Sequence, residues 1–142
     1  EIINICPNNV ECLLNRANAY NALKNYDEAI ADCTLAIGKR SEFSDAFYTR
    51  GCIKYSKGDL RGALADYNEV LKLDTQNAYV YIQIAKINKQ KSKRKEAILN
   101  LQQAISIFSN KSMTSEVQVC QQEVNKLEDE IKNIPWWNRK LF

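Results

Sequence analysis

The sequence predicts an all-α fold, an α-solenoid of antiparallel helix hairpins. Three observations carry that expectation. The stretch "NYDEAIADCTLAI" at residues 25–37 can be laid over "GDLRGALADYNEVLKL" at residues 58–73, so that Ala29-Ile30-Ala31-Asp32 meets Ala63-Leu64-Ala65-Asp66 at an offset of 34 residues. Apolar residues within each copy recur at spacings of three and four, the period of one helix face. Four Gly and two Pro in 142 residues are too few for the turns of a sandwich or barrel.

Three windows align at that interval, residues 10–43, 44–77 and 78–111. With positions in each window numbered as slots, slot 8 holds Ala17, Gly51 and Ala85, and slot 20 holds Ala29, Ala63 and Ala97. Slots 4, 8 and 11 share one helix face, and slots 20, 24, 27 and 28 share a face of a second helix. Small residues at slots 8 and 20 let the two backbones approach. Larger ones fill the space around them: Leu13, Phe47 and Tyr81 at slot 4, then Cys33, Tyr67 and Leu101 at slot 24. A lone hairpin cannot bury both its faces, so neighbours must stack.

On these residues the chain resembles the tetratricopeptide repeat family. The middle window carries Phe47, Gly51, Gly58, Ala63 and Tyr67; the first carries Leu13, Ala17, Tyr20, Tyr26 and Ala29; the third carries Tyr81, Ala85, Ala97 and Leu101. Arg16 and Arg50 stand where Leu is usual, and Lys54 and Asn88 replace a Tyr. Ser41, Thr75 and Ser109 replace the closing Pro, where a hydroxyl can cap the next helix. The resemblance implies a right-handed superhelix of three full repeats.

Residues 1–9 read as the end of a preceding repeat, because Pro7 fits its closing slot. The chain starts at Glu1 with neither Met nor a signal-like segment, so a fragment or a processed form is expected. Residues 112–134 form a different element. Val117, Cys120, Val124, Leu127, Ile131 and Ile134 make one apolar stripe, as expected of a capping helix that covers the third hairpin; a coiled-coil seam is the rival. Pro135 ends it. The tail at 135–142 holds Trp136 and Trp137 beside Arg139 and Lys140. One Trp packs back on the cap, or the pair is a docking or membrane-surface element, or the tail is a simple linker toward a further domain.

Several function classes are excluded or disfavoured. No His is present, which removes Ser-His-Asp and Cys-His catalysis and imidazole zinc sites. Asp32 and Asp66 are equivalent by repeat and are expected one hairpin apart on the outer second helices, not converging in a cleft. No catalytic residue, cofactor or metal site is expected. The net charge of +3 does not by itself imply nucleic acid. No apolar run reaches the roughly 18 residues of a membrane span. Five widely spaced cysteines without a C-x-x-C pair read as reduced, mostly buried thiols. They suggest an intracellular reducing compartment, the cytoplasm ahead of a plastid or another organelle.

The resemblance implies a concave groove lined by the first helix of each hairpin. Carried over, it selects Glu11, Leu14, Asn15, Asn18 and Asn21, then Asp45, Tyr48, Cys52 and Tyr55, then Tyr79, Ile82, Lys86 and Lys89. A segment of another protein is the expected occupant, with Asn to bind its backbone and Tyr to supply contact area. The resulting function is a non-catalytic interaction scaffold, an assembly or adaptor module within a larger complex. Family members that grip a chaperone's C-terminal carboxylate use two Lys, two Asn and an Arg. Only Asn15 and Asn18 answer to that set, and Asp45 has the wrong sign, so this ligand is disfavoured. A basic cluster spans "KINKQKSKRK" at residues 86–95, with Lys91, Lys93, Arg94 and Lys95 following Lys86 and Lys89. It is either a solvated turn or a contact for an anionic partner: acidic peptide, acidic lipid or RNA. No aromatic side chain interleaves it, which disfavours nucleic acid.

Overall fold

The computed structural model describes residues 9–141. The expectation for the preceding repeat and Pro7 falls outside them, Asn9 excepted. The described residues form seven α-helices and one 3-10 helix, with no strand among them. Those up to Thr75 belong to one compact unit and those from Gln76 to a second. The first unit holds α1 (Val10–Ala22), α2 (Tyr26–Lys39), α3 (Ser44–Lys57) and α4 (Leu60–Leu73). The second holds α5 (Ala78–Gln90), α6 (Arg94–Asn110), α7 (Thr114–Lys132) and the 3-10 helix Trp136–Leu141.

One turn recurs inside every hairpin. Slot 15 is left-handed in each: Lys24 at φ 60°, Gly58 at 94° and Ser92 at 59°. The next residue donates its N–H back to the slot 11 carbonyl: Asn25 to Tyr20 at 2.9 Å, Asp59 to Lys54 at 2.9 Å, Lys93 to Asn88 at 2.8 Å. This is the Schellman closure of a helix C-terminus. It uses the slot 11 backbone rather than its side chain, so loss of the usual Tyr there leaves the turn intact. Ser112, at φ 56°, and the Met113 N–H to Phe108 carbonyl bond of 2.9 Å repeat the device between α6 and α7.

Side-chain capping differs from expectation. Asn9, Asp59 and Asn77 cap α1, α4 and α5 by accepting from the N–H groups of Cys12, Gly62 and Val80. Ser41, Thr75 and Ser109 cap nothing; the residues that flank α3 and α7 at their N-termini are Phe43 and Met113, which cannot accept a bond. Asn77 lies two residues past Thr75 and takes the capping position of α5.

Packing in the hairpins follows size exchange between slots 8 and 24. In the second hairpin Gly51 faces Tyr67, whose ring is fully buried; a Cβ on Gly51 would stand 2.7 Å from Tyr67 Cε1. The first hairpin pairs Ala17 with Cys33, and the third pairs Ala85 with Leu101, all buried. In the second unit, α7 closes the core: Cys120, Val124 and Leu127 join Ala97, Leu101 and Phe108 in one cluster, with Val117 partly buried against it.

The two arginines that depart from the repeat pattern have partners one helix away. Arg16 Nε and Nη2 donate to Asp32 Oδ2 and Oδ1 at 2.7 and 2.6 Å. Arg50 donates likewise to Asp66 at 2.9 and 2.7 Å, and Lys54 Nζ adds a third contact at 3.0 Å. Both carboxylates are nearly inaccessible, 4% and 3% exposed. They lie on the second helices α2 and α4, as expected, but with their side chains turned inward. A buried carboxylate requires a cation and hydrogen bonds, and the unusual arginines supply both. The third hairpin replaces the set with Ile84 and a neutral bond from Asn88 Nδ2 to Asn100 Oδ1 at 2.8 Å.

Candidate partner-binding site

In the first unit the expected groove residues divide into two groups. Asn15, Asn18 and Asp45 are exposed. Glu11 is exposed too and pairs with Arg40 at 3.4 Å. Leu14 is only 8% exposed and belongs to the core cluster with Leu13 and Ala17. It therefore offers no groove surface, because slot 5 turns inward in the first hairpin. Tyr48 and Cys52 are partly buried against the slot 24 ring: Tyr48 lies 6.0 Å from Tyr67 between centroids, and Tyr67 Oη donates to Cys52 Sγ at 3.5 Å. Asn21 and Tyr55 are partly buried.

The second unit contains a cleft of about 570 Å³. Its floor is Ile82 and Ala85 of α5, Leu101 of α6, and Cys120 and Leu127 of α7. Its rim is Lys86 and Lys89 on one wall and Val119, Gln122, Glu123 and Lys126 on the other. The structure thus brings Ile82, Lys86 and Lys89 together along the α5 side of this cleft. Tyr79 does not line the cleft; its ring sets edge-on against Phe108 at 5.3 Å. The α7 wall was not legible as a site, since that helix reads as a cap. One signal was available: Val119 lies off the apolar stripe and is 66% exposed.

Ion pairs from α7 alter the reading of the basic cluster. Lys89 Nζ bonds Glu123 Oε1, and Arg94 Nε donates to Glu130 Oε2 at 3.0 Å. These two cations serve to anchor α7, so the cluster is less free than its sequence suggests. Lys86, Lys91, Lys93 and Lys95 are exposed.

Cysteine chemistry is subdued around the site. Burial pushes the Cys120 thiol up and the Cys33 thiol up to about 12, which keeps both protonated at neutral pH. Cys33, Cys52 and Cys120 are free, but Cys12 is disulfide-bonded, contrary to the expectation of reduced thiols throughout; Cys6 lies outside the described residues. Among the described residues no group of three His, Cys, Asp or Glu is gathered for a metal. No helix among them is long and apolar enough to cross a membrane.

The tail differs from the packed-back reading. Trp136 and Trp137 are 76% and 67% exposed and contact each other edge-to-face at 5.7 Å. Arg139 holds the 3-10 helix to the end of α7 by donating to the Ile134 and Lys132 carbonyls at 2.9 and 3.0 Å. That tether fixes the backbone while the indoles stay outside.

Helix hairpins at a fixed interval, closed by the same turn and packed by small-for-large exchange, define an all-α repeat solenoid that offers faces to other chains. The chain belongs to the tetratricopeptide repeat family, whose models match residues 10–42, 51–92 and 78–111. Among curated proteins it is 39% identical over 84 residues to RNA polymerase II-associated protein 3 of Xenopus tropicalis, a match covering 59% of this chain and 13% of that protein. It is 32% identical over 106 residues to the small glutamine-rich tetratricopeptide repeat-containing protein 2 of Saccharomyces cerevisiae, covering 74% and 30%. The chain thus spans a minor part of the length of these relatives. Among solved structures, the first TPR of Spaghetti (RPAP3) bound to the HSP90 peptide SRMEEVD superposes with a TM-score of 0.75 at 18% identity, covering 92% of this chain and 99% of that one. The translocator chaperone SycD of Yersinia enterocolitica gives 0.78 at 17%, covering 91% and 90%. At such identity these likenesses speak for the fold alone.

Proposed function

We propose that the chain is a non-catalytic scaffold or adaptor module that holds a segment of a partner protein on the faces of its first helices. The observation that carries this reading is the α5–α7 cleft, an apolar hollow rimmed by polar side chains, as ligand sites generally are. The fold neighbour solved with a bound peptide shows that an architecture of this kind has room for a segment. The particular chaperone peptide is disfavoured, because Tyr79, Ile82 and Gln83 stand where a carboxylate clamp would need a cation. The tail supplies a second contact, which its exposed indoles support. The alternative, an anionic lipid or RNA on the 86–95 cluster, has weaker support now that Lys89 and Arg94 are paired within the chain. An intracellular compartment belongs to the proposal, supported by the three free thiols and opposed by the engaged Cys12.

The test is site-specific photo-crosslinking in native extract. A photoreactive residue at Ile82 should trap a discrete polypeptide; the same residue at Leu99, an exposed position on α6 outside the cleft, should not. Equal or absent trapping at both positions refutes the scaffold reading.

A further inference from the structure

We infer that the α5–α7 cleft receives an internal segment of a partner protein, apolar where it seats and acidic on either side. The inference rests on the scaffold reading and adds the chemistry of what is held. The floor selects the apolar part. Ala85, Leu101 and Leu127 are buried beneath it, and Val119 presents an unpartnered isopropyl group on the α7 wall. The volume of about 570 Å³ is within the ordinary range for a seated ligand.

The rim selects the charge. Its one carboxylate, Glu123, is matched by Lys89. That leaves Lys86 on the α5 wall and Lys126 on the α7 wall, neither with an ion pair among the described residues. Beyond the C-terminal end of α5 the cations continue with the exposed Lys91 and Lys93. Potential of one sign over a low-dielectric floor attracts the opposite charge and steers its approach.

The arrangement favours a protein segment over RNA and a side-chain carboxylate over a terminal one. No aromatic side chain lines the cleft, so bases have nothing to stack on. A terminal carboxylate needs several donors converging on one point. Here the free lysines stand on opposite walls, which brackets a segment that runs between them. The Lys89–Glu123 and Arg94–Glu130 pairs tie α7 to α5 and α6, so the walls are set before the ligand arrives.

The probe is a random short-peptide library displayed on phage and selected against the full chain. Enriched peptides should carry one or two large apolar residues flanked by Asp or Glu. In fluorescence polarisation, replacing those acids by Gln and Asn should weaken a selected peptide about tenfold, as should Lys86→Glu with Lys126→Glu in the protein; tenfold corresponds to about 1.4 kcal/mol. Val119→Glu should weaken it at least as much, with thermal melts confirming that each variant is folded. Amidating the peptide's C-terminus should change nothing, and neither should Leu99→Ala, on α6 outside the cleft. Neutral or basic enriched peptides overturn the inference. So does loss on amidation, or displacement by oligo(U) RNA that Lys86→Glu abolishes. Peptide binding that survives the cleft variants but is lost with Asn18→Ala overturns the cleft assignment and leaves the scaffold reading standing. If no peptide is enriched, both fall.

Discussion

Replacing Gly51 by Ala should destabilise the chain, although the same change in most helices stabilises it. Gly51 lies inside α3, where Ala is ordinarily better by about 1 kcal/mol. Here the added Cβ would meet Tyr67 Cε1 at 2.7 Å, Cδ1 at 2.9 Å and Cζ at 3.3 Å. Tyr67 cannot swing away cheaply, because its ring is fully buried and its hydroxyl is bonded to Cys52. Contacts this short against a locked ring fall in the upper part of the overpacking range, about 2–3 kcal/mol; set against the propensity gain of about 1 kcal/mol, the net loss is about 1–2 kcal/mol. The third hairpin shows the remedy, since Ala85 there faces Leu101. Gly51→Ala should therefore cost much less in a Tyr67→Leu background, although Tyr67→Leu alone opens a cavity and is destabilising by about 2 kcal/mol. Urea unfolding of the four proteins gives the cycle, with an expected coupling of at least about 1 kcal/mol. If Gly51→Ala is neutral or stabilising with Tyr67 in place, or if the two changes simply add, the size-exchange argument is wrong.

Three further predictions rest on separate contacts. Asp66→Asn leaves Arg50 and Lys54 partly buried without their anion and should cost about 3 kcal/mol; adding Arg50→Ile and Lys54→Asn, the third hairpin's solution, should restore most of it, and denaturant midpoints decide. Ser92→Gly relieves a left-handed residue that is not glycine and should raise stability by roughly 0.5–1 kcal/mol, measured as a higher melting temperature. Burial moves the Cys33 thiol from 9.0 to about 12, so above pH 9 the unfolded chain releases a proton that the folded chain retains. Stability should fall as pH rises from about 9 toward about 12, and a Cys33→Ala variant should show the shallower melting-temperature profile.

The hairpins were legible because their cause is periodic. A helix that buries one face writes that face into the sequence every three or four residues, and a stack writes it again at every repeat. The slot 8 and slot 24 residues followed directly. What stayed hidden depended on pairing across helices. Arg16 and Arg50 looked like departures from the pattern, and Asp32 and Asp66 looked only like repeat-equivalent acids on separate hairpins; their meeting in space explains all four. Leu14 was misplaced because slot 5 borders the inward face, where a small rotation of α1 decides its side. Lys89 and Arg94 read as free cations because Glu123 and Glu130 lie more than thirty residues away on a helix with no repeat partner.

That helix, α7, shows why a cap and a binding wall are compatible roles. Its stripe of Cys120, Val124 and Leu127 is consumed by the core, which is all that capping requires. A helix displays several faces, and capping constrains only one. The adjoining face, with Val119, Glu123 and Lys126, is left beside α5, and the space between them is not filled by side chains. Had α7 only to exclude water, a bulkier residue on its face toward α5 would close the gap and add buried area. Small residues at slot 8 are set by the approach of the second helix, so α5 cannot close it from its own side. The hollow is thus a by-product of the repeat's packing rule, lined on its far wall by a helix face that the core does not use. A partner held there, as proposed, requires no change to the hairpins that hold the fold.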